Sequence, residues 1–224
     1  MPSLIWLYFL LKEDARCPEP KRLLALAFIA GMLAVPLALP LEAFAKSHLL
    51  GSFAVLGAWA TIEEMLKYTM AAVFILWRPE VDEPSDYVVY LFTVALGFAA
   101  AENMLFLFAP LTGGNFASGL VTGDLRFLGS TLLHVVASSA VGFALAFAAM
   151  KRPLGRMTAL LLGLILAVSL HTAFNTLIIR ADGSSALTAF FLVWSLAVVF
   201  FAALEVLKYF EYRGLPANTC PPLP

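Results

Sequence analysis

The chain has 224 residues, is 62% hydrophobic with a mean hydropathy of +0.90, and carries only 13% charged residues, which places it among membrane proteins. Its formal net charge of −1, from 14 Lys and Arg against 15 Asp and Glu, leaves no basic face, so nucleic acid is not an expected partner. Cys17 and Cys220 are the only cysteines, and their wide separation predicts neither a disulfide framework nor a CxxC metal motif.

In chain order, Met1 to Leu11 is apolar but too short to span a bilayer, and it lacks a positive leader and a cleavage site. It reads as a membrane-surface or partly inserted segment. Lys12 to Arg22 is polar, with Pro18 and Pro20 preventing a continuous helix. Apolar runs then predict spans at about 23–41, 49–77, 87–109, 127–150, 157–179 and 187–209. Pro36 and Pro40 predict a kink or early stop in the first. The second, at 29 residues, exceeds the roughly 20 needed and must tilt or protrude. A short acidic loop follows it, with Glu80, Asp82, Glu83 and Asp86; Pro110 and the Gly113–Gly114 pair close the third span, before a long loop over 112–126. The Pro-rich tail from Arg213 to Pro224 has no sequence reason to be ordered. The expected fold is all-α: one polytopic transmembrane bundle of six spans preceded by a short apolar segment.

Orientation follows from Lys and Arg. The side holding both ends receives ten of them, the other only Lys46, Arg126 and Arg180, and Lys67 lies within the membrane, so both termini are expected in the cytoplasm.

Several spans carry ionisable or amide groups where lipid alone would reject them. The second contains Glu63, Glu64 and Lys67 in ATIEEMLKYTMA, each costing at least about 2.5 to 3.5 kcal/mol at mid-bilayer. The third contains Glu102 and Asn103 in FAAAEN, the fourth His134 in LLHVVASSAVG, and the fifth His171 and Asn175 in LHTAFN. Counted from the cytoplasmic boundary of each span, Glu63, Glu102, His134 and His171 fall 14, 15, 16 and 14 residues in. At about 1.5 Å per residue this is roughly 21 to 24 Å, one shared level in the outer half of a core about 30 Å thick.

Spacing adds local detail. Lys67 is i+4 from Glu63 and i+3 from Glu64, so it can pair with either. His171 and Asn175, also i,i+4, share a helix face. Two adjacent carboxylates are not both expected to ionise in a low dielectric. Taken singly, the Glu–Lys pair reads equally well as interhelical glue, while His134, Asn103 and Asn175 read better as interhelical hydrogen bonders, and the common depth is what argues for a site. Carboxylates and imidazoles in a shielded pocket suit water activation, a Glu acting as general base and His or Asn stabilising an oxyanion. Zinc is the competing chemistry, with His134, His171, Glu102 and Glu63 or Glu64 as possible ligands, although no HExxH motif is present. Ser138 and Ser139 lie near His134 without a nucleophile-elbow motif, which disfavours a serine mechanism. A proton-coupled transporter or channel using the same groups as a relay is the alternative; no inverted repeat supports it.

The ordered set EExxK at Glu63 to Lys67, FxxxEN at Phe98 to Asn103, His134 followed by Ser139 and Gly142, and HxxxN at His171 to Asn175 resembles the PrsW family of integral-membrane proteases. The likeness covers nearly the whole chain and extends more distantly to the CAAX-prenyl endopeptidase and bacteriocin-processing group. It implies proteolysis of a single-pass membrane protein, typified by an anti-sigma factor, near its extracytoplasmic side. By matching positions it implies Glu63, Glu64, Glu102, His134 and His171 as site residues, with His171 and Asn175 binding an oxyanion and Lys67 and Asn103 in support. The apolar start, Met1 to Leu11, is shorter than the first helix common in the family.

Overall fold

The structure, a computed structural model, describes residues 2–113, 129–149, 153–179, 183–216 and 219–220. Among them are seven helices and no strand: α1 (Pro2–Glu13), α2 (Lys21–His48), α3 (Ser52–Phe74), α4 (Pro84–Thr112), α5 (Thr131–Ala148), α6 (Pro153–Ile179) and α7 (Gly183–Tyr212). Five of these, α2, α4, α5, α6 and α7, are long and apolar enough to cross a membrane. With 23 residues, or about 34 Å, α3 has the length but carries three ionisable side chains in its middle. Those three are buried among its neighbours, at 6%, 1% and 0% exposure for Glu63, Glu64 and Lys67, so lipid never meets them. The fold is that of a polytopic helical membrane protein.

Sequence punctuation sets the helix ends. Gly51, at φ 89°, takes the left-handed backbone that separates α2 from α3. Pro84 and Pro153 open α4 and α6, where a missing N–H costs little. Pro36 and Pro40 do not end α2, contrary to expectation: the helix continues to His48. Ala34, Val35 and Ala38 around them are buried in the bundle, and helix contacts of this kind hold prolines that would break an isolated helix. Pro110 likewise remains within α4, which stops at Thr112.

At the centre of the bundle is α4, apolar all round; the side chains from Val88 to Phe92 and from Val94 to Leu96 are no more than 1% exposed. Glycine lets its neighbours touch it. A Cβ on Gly31 would lie 1.9 Å from the Val94 carbonyl oxygen, and one on Gly97 1.9 Å from that of Phe28, so α2 and α4 meet backbone to backbone. Gly142 brings α5 to within the same range of Val88. The periphery is apolar outward, with Leu33 and Leu37 of α2, Ile165 and Leu166 of α6 and Val198 and Val199 of α7 all about half exposed or more.

Two expectations at the chain ends are corrected. Cys17 and Cys220 form a disulfide, with a Cα–Cα distance of 5.8 Å across 203 residues of sequence. The described part of the tail is also tied down: Arg16 donates to the Pro216 carbonyl at 3.1 Å and stacks 4.1 Å over the Tyr212 ring. Lys208 reaches the Glu13 carbonyl. The physical reason is that both ends emerge at one end of the bundle, a proximity that sequence distance conceals. In the acidic loop Glu83 and Asp86 are buried, at 2% and 1% exposure, while Glu80 and Asp82 are exposed. The first helix packs on α4 through Leu10 and sets Trp6 against Trp194 of α7. The loop over 112–126 lies outside the described residues from 114 onward, as do Arg126, Lys151, Arg152 and Arg180.

Candidate active site

The site grows outward from α3. Glu64 and Lys67 are three residues apart on one helix face and form a buried ion pair at 2.6 Å. Glu64 is fully partnered: Oε1 also accepts from His171 Nδ1 at 2.8 Å, and Oε2 accepts from the Ser138 hydroxyl at 2.9 Å. Lys67 continues to His134 Nδ1 at 3.1 Å and lies 4.7 Å over the Phe98 ring. Glu63, about 100° around the helix, faces a different way. It lines a cavity of ≈ 730 Å³ together with Glu102, His134, His171 and Asn175.

The partners define the imidazole tautomers. His171 must donate its Nδ1–H to Glu64, which leaves Nε2 as a lone pair 3.7 Å from Glu63 Oε2. His134 donates Nε2–H to Glu102 Oε2 at 2.9 Å, and its Nδ1 lone pair, 3.8 Å from the same Glu63 oxygen, accepts from the Lys67 ammonium. The two rings meet edge to face at 5.1 Å between centroids. Glu63 Oε2 is buried and has no hydrogen-bond partner among the described residues. A buried carboxylate oxygen with no partner, facing the His171 Nε2 lone pair, is costly unless something shared occupies the locus.

A divalent metal fits these residues if it takes the His134 Nδ1 lone pair in place of Lys67. One donor atom each from Glu63, His134 and His171 lie within 4.8 Å of one another. Tetrahedral zinc with bonds of about 2.1 Å sets its donors about 3.4 Å apart, within a few tenths of the two spacings to Glu63. Each imidazole hands its other nitrogen to a carboxylate, the outer-shell arrangement that orients metal-binding histidines. Three protein donors leave a fourth position facing the cavity. The broader set expected from sequence therefore divides in two: Glu63, His134 and His171 point at the locus, while Glu64 and Glu102 hold the rings.

The other expected residues are accounted for. Asn175 is on the cavity wall one turn beyond His171. Asn103 sits apart from the cavity lining and donates to Thr131 Oγ1 at 3.0 Å, clamping α4 to α5. One residue escaped the sequence reading: Glu42 lines the cavity from α2, one residue beyond the expected end of the first span. Ser138, weighed from sequence only as a disfavoured nucleophile, donates instead to Glu64.

A helical membrane bundle with a Glu–His–His donor set on the wall of an internal cavity defines the class of polytopic membrane hydrolases. The family model described as PrsW family intramembrane metalloprotease matches residues 19–204. The chain belongs to the PrsW family and is by class a peptidase. It is 33% identical over 140 residues to "Protease PrsW" of Geobacillus kaustophilus (strain HTA426), a match covering 61% of this chain and 58% of that protein. It is 28% identical over 181 residues to "Protease PrsW" of Shouchella clausii (strain KSM-K16), covering 78% and 80%. No solved structure matches the chain.

Proposed function

We propose that this chain hydrolyses a peptide bond of a single-pass membrane protein close to the membrane surface nearer the chamber, with all six helices α2 to α7 crossing the bilayer. The observation that carries the reading is the pair of imidazoles that each give one N–H to a buried carboxylate and turn the other nitrogen toward Glu63 Oε2. A divalent ion held by Glu63, His134 and His171 would supply Lewis acidity to a water and to the scissile carbonyl. The remaining roles belong to side chains. Glu102, 20% exposed to the cavity, is the carboxylate available to accept the water's proton. The Asn175 amide is available to donate to the developing oxyanion. Glu64, Lys67 and Ser138 keep His171 and His134 in the required tautomers. The positive-inside count places the chamber toward the extracytoplasmic side. An anti-sigma factor is the substrate type that the family resemblance implies.

A relay through the membrane draws support from the continuous chain Ser138–Glu64–Lys67–His134–Glu102. Among the described residues, however, that chain ends above the apolar stretch of α4, where Val94, Ala95 and Leu96 are fully buried. Hydrolysis is therefore the reading we adopt. Purified full-length protein, incubated with a single-pass reporter, should cleave it and lose about 100- to 10,000-fold in rate on Glu63→Gln. Undiminished cleavage by that variant would sink the assignment.

A further inference from the structure

About 13 residues along α3 from Glu63, or roughly 20 Å away, the bundle carries a second cavity. α3 and α6 are joined at the chamber by Glu64 and His171. At their other ends lies a cleft of ≈ 450 Å³, lined by Leu76, Arg78, Tyr87, Arg156 and Leu160 among others. Among the described residues its walls are largely apolar, its two formal charges are both guanidinium, and no carboxylate lines it. Each arginine is fixed on one side by a hydrogen bond. Arg78 Nε donates to the Phe74 carbonyl at 2.7 Å, and Arg156 Nη2 donates to the Tyr87 hydroxyl at 2.7 Å. Neighbouring Trp77 is 84% exposed just past the end of α3, where an indole marks the boundary between hydrocarbon and headgroups.

We propose that this cleft binds an anionic phospholipid, its phosphate between Arg78 and Arg156 and an acyl chain along Leu76 and Leu160. Two planar guanidiniums lining one cleft complement a phosphate through charge-assisted hydrogen bonds. The apolar walls complement a tail, which a free phosphate does not have. The site stands apart from the chamber and requires no metal there.

Native mass spectrometry of the full chain, released from micelles doped with phosphatidylglycerol or phosphatidylcholine, tests this. One phosphatidylglycerol should be retained about tenfold more strongly than phosphatidylcholine. The double variant Arg78→Gln, Arg156→Gln should lose that preference. Ala72→Trp, which fills the cleft from α3 without touching its charge, should lose retention altogether. Millimolar glycerol 3-phosphate should not displace the lipid. Equal retention of the two lipids, wild-type retention by both variants, or displacement by glycerol 3-phosphate would each overturn the proposal.

Discussion

The two ends of the bundle each bury a group of carboxylates, and they solve the problem differently. In the chamber, Glu64 and Glu102 are bonded to Lys67, His171 and His134, and Glu63 faces a cavity. At the other end, Asp14, Glu19, Glu83 and Asp86 crowd together with Tyr90, Tyr212 and the Cys17–Cys220 bond. Tyr90 donates to Glu19, Tyr212 donates to Glu83 at 3.3 Å, and Asp86 Oδ2 accepts the backbone N–H groups of Asp82 and Glu83. Cys17, Glu83 and Cys220 also bring potential ligand atoms within 4.8 Å, but the two sulfurs are bonded to each other. Buried charge alone therefore does not mark a catalytic site. What sets the chamber apart is an unpartnered carboxylate oxygen beside two imidazoles on a cavity wall.

The contrast is broken most severely at Glu63. Glu63→Gln should abolish reporter cleavage while leaving the fold intact, whereas Glu83→Gln at the other end should leave the rate per folded molecule unchanged. Next in size is Glu64→Ala, which strands Lys67 and removes the acceptor of both His171 and Ser138. Removing one partner of a fully buried pair costs about 3 to 5 kcal/mol, so thermal unfolding in detergent should report a large loss of stability along with lost activity. Asp86→Ala should cost less, about 1 to 3 kcal/mol, by depriving two backbone N–H groups of their acceptor.

A smaller effect is expected from pH. Burial, reinforced by Glu19, pushes the Asp14 carboxyl up to about 7 against the opposing Lys208. Burial and Glu211 likewise push Glu83 up to about 7, and the Tyr212 hydrogen bond opposes this. The folded state thus holds protons that the unfolded chain has released, so stability should fall as pH rises through about 4 to 7. Glu83→Gln should flatten a plot of unfolding temperature against pH; an unchanged slope would refute the assignment. The least effect on activity should come from the terminal cysteines. On the orientation expected from the positive-inside rule they would lie in the reducing cytoplasm. In cells they should be thiols, labelled by a permeant maleimide and not by an impermeant one, and they should join when reductant is removed. Labelling by the impermeant reagent would reverse the topology.

Much of the site was legible because depth in a spanning helix is a residue count. Glu63, Glu102, His134 and His171 lay at one level from helix lengths alone, and the structure draws them together. Rotation was not legible: adjacent Glu63 and Glu64 differ by about 100°, and which one faces the cavity depends on neighbouring helices. Glu42 was hidden by the prolines before it, since a helix expected to stop near Leu41 cannot carry a cavity residue beyond that point. The disulfide was hidden because contact between chain ends leaves no periodic trace. The burial of Glu83 and Asp86 was hidden because nothing in the spacing of the acidic loop announces Tyr90 or Tyr212 beside them.

The glycine seam between α2 and α4 has a consequence for what can reach Glu63. Gly31 and Gly97 lock the two backbones together five residues below Glu102, so no side-chain motion opens that junction. It acts as a depth stop, with the chamber above it and a closed wall below. From the nearer membrane surface to the level of Glu63 is roughly 6 to 9 Å, the reach of about two to three residues of extended chain. On the proposed function, a substrate helix would have to unwind by less than one turn to present its scissile bond.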